Sequence, residues 1–164
     1  IMDLLGKYLR ESVETMERDH IRLKILGDPA VLSEELRALI DETAQISGRY
    51  EGFQANVCIN YGGRAEIADA CAAIAREVRD GRISGDRVTE KMVAEHLYNP
   101  DIPDCDLVIR TSGEQRTSNF LPWQAAYAEL DFVPELFPDC GREVLWRSID
   151  HYIHRDRRFG GVKK

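Results

Sequence analysis

The 164-residue sequence lacks several features that would point to common classes of protein. No Cys-x-x-Cys pair occurs among its four cysteines, so no redox or cysteine-rich zinc motif is indicated. It has no excess of basic residues, because 22 Lys and Arg against 29 Asp and Glu leave a formal charge of -7, which opposes binding to nucleic acid. No apolar run approaches the roughly 18 to 20 residues that cross a bilayer. We therefore expect a cytoplasmic protein that binds no nucleic acid and has no stable membrane insertion.

The cysteines support the expected compartment. Cys58, Cys71, Cys105 and Cys140 are scattered, and three of them lie beside apolar runs or in helix-like patterns. We interpret them as reduced, mostly buried thiols, as is usual in cytoplasmic proteins, with disulfides or a zinc site as the alternative.

The apolar residues that are present alternate between helical and strand spacing. The pattern predicts helices near residues 2–16, 33–48, 64–80, 89–98, 120–128 and 144–153, and strands near 21–25, 55–60, 107–109 and 130–133, of which the strand over 55–60 is expected to be buried. This order is typical of an α/β fold with a mostly parallel central sheet flanked by helices. No repeat or long linker interrupts it, so we expect a single domain over residues 1–164.

Two loops that follow predicted strands carry residues suited to an anion, because ligands of open α/β sheets bind beyond the carboxyl ends of the strands. In the first loop, the paired glycines of Asn60-Tyr-Gly-Gly-Arg64 let backbone N–H groups approach an anion, and Arg64 adds charge. The alternative is an ordinary structural turn between a strand and a helix.

The second loop, residues 110–119, is richer in suitable donors. Arg110 and Arg116 offer the forked donors that match phosphate oxygens, and hydroxyl groups such as that of Ser118 add further donors. The pattern favours a phosphate or diphosphate. The alternative is a solvated loop in which Glu114 forms an ion pair with one of the arginines.

Glu129 lies where a helix-like segment gives way to the next strand. A carboxylate beside a bound diphosphate is a natural Mg²⁺ ligand, although an exposed glutamate without such a role is the alternative. The histidines show no metal spacing except His151-x-x-His154, which we expect on a helix surface.

Four strings in this order resemble the bacterial undecaprenyl diphosphate synthases, which are cis-prenyltransferases. They are Asn60-Tyr-Gly-Gly-Arg64, Arg110-Thr-Ser-Gly-Glu-Gln-Arg116-Thr-Ser118-Asn-Phe120, Trp123-Gln-Ala-Ala126-Tyr-Ala-Glu129-Leu130 and Arg157-Arg158-Phe159-Gly160-Gly161. The resemblance extends from about Met2 to Gly161. It implies the fold of those enzymes and the Mg²⁺-dependent condensation of isopentenyl diphosphate with an allylic diphosphate to give a polyprenyl diphosphate.

The resemblance also assigns roles to residues. It implies that Arg110, Arg116 and Ser118 hold the diphosphate of isopentenyl diphosphate and that Glu129 helps to place Mg²⁺. The terminal Arg158 and Gly160 are expected to reach the partner's site across a homodimer interface, and the loop with Asn60, Gly62 and Gly63 is expected to contribute to substrate binding.

The growing prenyl chain requires an apolar tunnel, for which one predicted strand supplies candidates. Phe53, Ala55 and Val57 precede Asn60 and are expected to line that tunnel. Ordinary core packing is the alternative for all three.

One departure from the family pattern stands beside these agreements. The string Asp-Gly-Asn-Gly-Arg-Trp-Ala, which in the family supplies the main Mg²⁺-binding aspartate, does not occur in the sequence. We therefore expect the carboxyl-terminal two-thirds of such an enzyme, with its first strands missing, no main catalytic residue and no activity alone. A non-catalytic accessory or scaffold subunit of the same fold is the principal rival hypothesis, and an unrelated phosphate-binding α/β protein is another.

Overall fold

The computed structural model describes residues 2–155, which fall into two compact units divided between Gly62 and Gly63. Each unit combines helices with one pair of parallel strands. The expected α/β class with parallel strands is confirmed, and the described strands form two separate pairs, β1–β2 and β3–β4. The assignment of residues 1–164 to a single domain stays a prediction.

The first unit places two helices against one strand pair. It contains α1 (Met2–Asp19), β1 (Arg22–Leu26), a 3-10 turn (Pro29–Val31), α2 (Glu34–Ser47) and β2 (Gln54–Cys58). Ser33 caps α2, because its hydroxyl accepts a hydrogen bond from the N–H of Leu36 at 3.2 Å. Leu9, Met16, Leu23, Leu32 and Leu36 are buried together and form the core.

Two small residues permit close packing within this unit. The fully buried Ser47 of α2 accepts a hydrogen bond from the N–H of Leu23 in β1 at 3.0 Å. Gly27 follows β1 with φ 125°, and a side chain there would overlap the carbonyl oxygen of Ile59. The glycine therefore permits the carboxyl ends of β1 and β2 to approach closely.

The second unit carries the second strand pair. It contains α3 (Gly63–Arg79), α4 (Glu90–Ala94), β3 (Leu107–Arg110), β4 (Glu129–Phe132), a 3-10 turn (Phe137–Asp139) and α5 (Arg142–Ile153). Thr89 caps α4 by accepting a hydrogen bond from the N–H of Met92 at 3.2 Å. In the β3–β4 register, Leu107 lies opposite Glu129 and Arg110 lies opposite Phe132.

The prediction of a helix over residues 120–128 is wrong, because this segment forms a series of turns. Asn119 and Leu121 have φ 65° and 48°, in the left-handed region that a right-handed helix excludes. The N–H of Ala125 bonds four residues back to Leu121, whereas the N–H of Ala128 bonds only three residues back to Ala125. The hydrogen bonds therefore do not repeat as a helix requires.

Two expectations about burial are also wrong. The strand predicted over residues 55–60 is not buried, since Asn56 and Val57 of β2 are exposed and β2 pairs with β1 alone among the described strands. Cys71 is exposed on α3, and the other three cysteines are only half-buried. All four are free thiols.

Within residues 2–155, no helix is both long enough and apolar enough to span a membrane.

Candidate functional site

Both arginines selected from the sequence line one cavity of the second unit. Arg110 is the last residue of β3, Arg116 lies in the loop that follows, and both contribute to the wall of a cavity of about 430 Å³. Apolar side chains form most of the remaining wall, including Phe120, Phe137 and Leu145. The cavity therefore combines hydrocarbon walls with two guanidinium groups.

Strand register explains why Arg110 belongs to an apolar wall. Side chains alternate between the two faces of a strand, so Val108 and Arg110 of β3 share a face with their register partners Leu130 and Phe132 of β4. All four residues line the cavity. The charged group is thus placed at the end of a row of apolar side chains.

Arg110 retains an unused hydrogen-bond donor. Its Nε is buried and has no acceptor among the described residues, although the side chain as a whole is half-buried. A buried donor without an acceptor costs about 1–3 kcal/mol. An anion in the cavity that accepts this hydrogen bond would offset that cost.

Arg116 is arranged differently from Arg110. Its side chain is 65% exposed and forms an ion pair with Glu114, which is the pairing that the sequence had left open. Arg116 nevertheless lines the cavity. An anion that binds in the cavity would compete with the carboxylate of Glu114 for the guanidinium group of Arg116.

The loop that carries Arg116 contains several residues in the left-handed region. Ser112, Gly113 and Ser118 have φ 67°, 64° and 50°. The first turn is tied to the end of β4 because the N–H of Gly113 bonds to the carbonyl oxygen of Val133 at 2.9 Å. The left-handed conformation costs a non-glycine residue roughly 1–3 kcal/mol, and such conformations cluster at functional sites. Ser118, the third residue predicted to hold the diphosphate, is exposed in this loop.

Asn119 joins the loop after β3 to the start of α3, a relationship that sequence reasoning missed. Its carbonyl oxygen accepts a hydrogen bond from the N–H of Gly63, and its Oδ1 accepts one from the N–H of Arg64, both at 2.9 Å. A side chain at Gly63 would overlap Pro122. The only signal in the sequence was that Asn119 lies in the loop over residues 110–119, which has more hydrogen-bond donors than the other candidate loop.

These contacts favour the structural alternative for the glycine-containing loop. The N–H groups of Gly63 and Arg64, which had been expected to approach an anion, already have acceptors. In the first unit, Asn60 Nδ2 donates to the carbonyl oxygen of Asp28 at 3.2 Å, and Gly62 is half-buried.

The structure does not bring Glu129 beside Arg110. Glu129 begins β4 opposite Leu107, three residues along the strand pair from Arg110, and three strand residues span about 10 Å. Its Oε2 accepts a hydrogen bond from Arg155 Nη1 at 2.8 Å. Among residues 2–155, no group of three or more His, Cys, Asp and Glu side chains is arranged to hold a metal ion.

The remaining predicted residues are not among those that line this cavity. Phe53 is 71% exposed and Val57 is 39% exposed. Ala55 packs against the core of the first unit, so the alternative of ordinary core packing is favoured for Ala55 alone of the three. The side chains of His151 and His154 are 51% and 73% exposed, as expected for a helix surface. Arg158 and Gly160 lie outside the described residues.

Comparisons with known proteins give one consistent family. The family model for undecaprenyl diphosphate synthase matches residues 1–160. The chain is 68% identical over 166 residues to an isoprenyl transferase of Bifidobacterium longum, covering 99% of this chain and 62% of the relative. It is 44% identical to a trans,polycis-polyprenyl diphosphate synthase of Thermobifida fusca described as specific for (2Z,6E)-farnesyl diphosphate, covering 94% of this chain and 55% of that protein.

A solved structure shows the same fold. The lavandulyl diphosphate synthase of Lavandula x intermedia, crystallised with dimethylallyl diphosphate, superimposes with a TM-score of 0.93 at 34% identity. The match covers 97% of this chain and 69% of that structure. The chain therefore spans a little over half to about two-thirds of the length of these relatives. The expected undecaprenyl diphosphate synthase-like fold is confirmed. The rival hypothesis of an unrelated phosphate-binding protein is excluded. The chain belongs to the undecaprenyl diphosphate synthase family.

Proposed function

We propose that the chain takes part in cis-prenyl transfer, the condensation of isopentenyl diphosphate with an allylic diphosphate to give a polyprenyl diphosphate. The observation that carries this proposal is the cavity in which Arg110 and Arg116 meet apolar walls. Such a cavity suits a ligand with an anionic head and a hydrocarbon body. Dimethylallyl diphosphate, the compound bound in the lavandulyl diphosphate synthase structure, is a ligand of this kind.

The contribution of this chain is proposed to be the isopentenyl diphosphate-binding half of the site. The unused Nε donor of Arg110 and the exposed guanidinium group of Arg116 would bind diphosphate oxygens, with the hydroxyl of Ser118 as a further donor. Two fixed cationic groups orient the diphosphate, and the apolar wall directs the isopentenyl group away from water.

Orientation and electrostatics are sufficient roles for these residues. In the proposed reaction the allylic diphosphate departs, the isopentenyl double bond attacks the allylic carbon, and a proton is lost. No covalent nucleophile is required, and positioned positive charge lowers the barrier where negative charge develops. The family's Asp-Gly-Asn-Gly-Arg string does not occur in the 164 residues, so no catalytic residue is assigned to them.

Mg²⁺ is proposed as a cofactor of the whole enzyme, but the described residues do not by themselves fit a magnesium site. Glu129 is a single carboxylate, its Oε2 is bound by Arg155, and it does not line the cavity. Mg²⁺ commonly takes one or two carboxylates, with substrate phosphates and water completing its octahedral shell. At most one protein ligand could come from Glu129, and we assign no step to the ion.

We also propose that the chain forms a homodimer and acts in the cytoplasm, and exposed apolar side chains support the dimer. Large apolar side chains of the second unit are exposed, among them Phe137 at 79%, Trp146 at 61% and Ile153 at 64%. Exposed apolar groups favour association. Arg158 and Gly160 would then act at the partner's site, as the resemblance implies.

Calorimetric titration of the 164-residue chain with isopentenyl diphosphate, with and without Mg²⁺, tests the proposal. We expect binding that Arg110→Ala and Arg116→Ala each weaken about 10- to 100-fold, the loss expected for one hydrogen bond to a charged group. Arg79→Ala is the matched control, because Arg79 is exposed, does not line the cavity and, among the described residues, pairs with the neighbouring Asp80. Binding that is undetectable, or unaffected by both cavity substitutions, would reject the proposal.

An elongation assay with radiolabelled isopentenyl diphosphate and an allylic primer separates binding from catalysis. We expect the 164-residue chain to bind without forming a long-chain product. An accessory or scaffold subunit predicts instead that Arg116→Ala has no effect on isopentenyl diphosphate binding.

A further inference from the structure

A buried carboxylate in the first turn of α3 is not among the residues that line the cavity. Glu66 is only 1% exposed. Its Oε1 accepts a hydrogen bond from the N–H of Tyr98 at 3.0 Å, and Gln124 Nε2 donates to Oε1 and Oε2 at 3.2 and 3.1 Å. A carboxylate is destabilising when it is buried without such donors, and the start of a helix also favours its negative charge. Glu66 therefore joins α3 to two other parts of the second unit.

Gln124 is attached through both its main chain and its side chain. Its carbonyl oxygen accepts a hydrogen bond from the N–H of Cys105 at 2.8 Å, two residues before β3 begins. Its Oε1, in contrast, is buried and has no hydrogen-bond donor among the described residues. A buried oxygen without a donor is destabilising, and a leucine side chain of similar size would not carry one. The bond from Nε2 to Glu66 is therefore the interaction that favours an amide at this position.

The cavity residue Phe120 lies between two attachments to α3. On one side, Asn119 accepts hydrogen bonds from the first N–H groups of α3. On the other side, Gln124 is bonded to Glu66 in the first turn of the same helix. Phe120 lines the cavity and is 42% exposed. The position of this aromatic wall therefore depends on both attachments.

The two arginines of the cavity do not depend on the attachment at Gln124. Arg110 ends β3, where the register with β4 fixes its place. Arg116 precedes Asn119, so the bonds of Asn119 to α3 lie between Arg116 and any movement at Gln124. The cationic part and the aromatic part of the cavity are thus supported separately.

We propose that Glu66 is a positioning residue that acts through Gln124 to hold Phe120 in the cavity wall, and that it determines affinity for the prenyl group of a ligand rather than for the diphosphate. This inference rests on the proposed function of the cavity. A wall that is held in place before the ligand binds loses less conformational freedom on binding. The hydrocarbon part of the ligand therefore gains most from the attachment.

Two substitutions break the attachment from opposite sides. Glu66→Gln keeps the size of the side chain but replaces one oxygen by an NH₂ group, which cannot accept a hydrogen bond from Gln124 or Tyr98. Gln124→Leu removes the donor together with the oxygen that has no partner, so this variant should fold even where Glu66→Gln does not. Tyr98→Phe is the matched control, because it removes the 2.6 Å bond from Tyr98 Oη to Asp69 Oδ2 and retains the N–H that bonds to Glu66.

The first measurement is acrylamide quenching of Trp123 fluorescence without any ligand. Trp123 directly precedes Gln124, and Trp146→Phe leaves it as the only tryptophan, since the sequence has two. In that background we expect Glu66→Gln and Gln124→Leu each to increase quenching about 2-fold over Tyr98→Phe, because a segment with fewer attachments opens more often. Quenching equal to that of the control in either folded variant would refute the positioning role.

The second measurement compares affinities for isopentenyl diphosphate and for inorganic diphosphate by calorimetry. We expect Glu66→Gln and Gln124→Leu each to weaken isopentenyl diphosphate binding about 3- to 10-fold and inorganic diphosphate binding by less than about 2-fold, as for the partial loss of one apolar contact. Because both substitutions break the same attachment, the double variant should bind isopentenyl diphosphate about as tightly as either single variant.

The ratio of the two affinities separates positioning from a merely structural role. A structural role would leave this ratio the same as in Tyr98→Phe, and that result would overturn the inference. If the unsubstituted chain binds neither ligand, the proposed function itself fails. An unchanged ratio in a chain that binds both ligands rejects only the role of Glu66.

Discussion

Asn119 Oδ1 accepts a hydrogen bond from the backbone N–H of Arg64 at 2.9 Å, and the carbonyl oxygen of Asn119 accepts one from Gly63 at the same distance. The loop after β3 therefore satisfies two of the free donors in the first turn of α3. Asn119 has φ 65°, a conformation that asparagine tolerates better than most residues. One residue thus connects the arginine-bearing loop to the helix that begins the second unit.

Removing this side chain tests its contribution to stability. Asn119→Ala is expected to lower the free energy of unfolding by about 1 kcal/mol, the usual cost of losing a capping oxygen at a helix start. Asn119→Asp keeps the oxygen and adds a negative charge that the helix start favours, so it should remain near the stability of the unsubstituted chain. Urea unfolding gives both values, and equal stability of the two variants would contradict the capping role.

Gly63 is predicted to be intolerant of even a methyl group. Its position against Pro122 leaves no room for a Cβ atom, so Gly63→Ala must shift the loop or the helix, at a cost of about 1–3 kcal/mol. Gly141→Ala is the control, because Gly141 has no atom within 4 Å of an added Cβ. Thermal unfolding of the two variants compares them directly, and a Gly63→Ala melting temperature equal to that of Gly141→Ala would disprove the steric argument.

His96 should make stability depend on pH. Its Nδ1 lies 2.7 Å from the carbonyl oxygen of Met92, and its Nε2 lies 3.3 Å from Glu77 Oε2. The Met92 carbonyl, and then Glu77, raise the pKa of His96 above its usual value. With Nδ1–H donating to Met92, Nε2 can donate to Glu77 only when the ring is protonated.

The sign of the pH effect follows from the raised pKa. The protonated ring is stabilised in the folded state, so its contribution is fully present below the unfolded pKa of about 6.5 and is lost as pH rises through the folded pKa. His96→Gln should therefore destabilise the chain more at pH 5.5 than at pH 9, as measured by urea unfolding. When the chain already carries Glu77→Gln, the effect of His96→Gln on stability should differ less between the two pH values. A loss of stability in His96→Gln that is the same at pH 5.5 and pH 9 would refute the prediction.

The sequence was informative where local chemistry determines the structure. Ser33 and Thr89 were recognisable as helix starts because their hydroxyls cap the first turn. Arg110 was recognisable because two arginines occur at and after the end of a predicted strand. The left-handed φ of Asn119 and Leu121 could not be anticipated, since tertiary contacts with α3 impose the turn on a segment with helical spacing. The pairing of Arg155 was equally hidden, because it joins a residue beyond the end of α5 to Glu129, which lies 26 residues away in the sequence.

The same limit applies to the position of Glu129. Its place directly before a strand was visible in the sequence, but the parallel register that sets it opposite Leu107 rather than Arg110 was not. The sequence therefore identified the cationic groups of one cavity, whereas the distance between those groups and the carboxylate required the structure.

The cysteines allow a final prediction, because their surroundings differ. Burial, and then the negative charges of Asp104 and Asp106, raise the pKa of the Cys105 thiol, whereas Cys71 is exposed on α3. Since the thiolate is the reactive form, Cys71 should be alkylated by iodoacetamide at pH 8 well before Cys105. Mass spectrometry of peptides from timed samples measures both rates. In about 8 M urea, which unfolds most small domains, the alkylation rates of the two cysteines should converge. A folded chain in which Cys105 reacts before Cys71 would disprove the prediction.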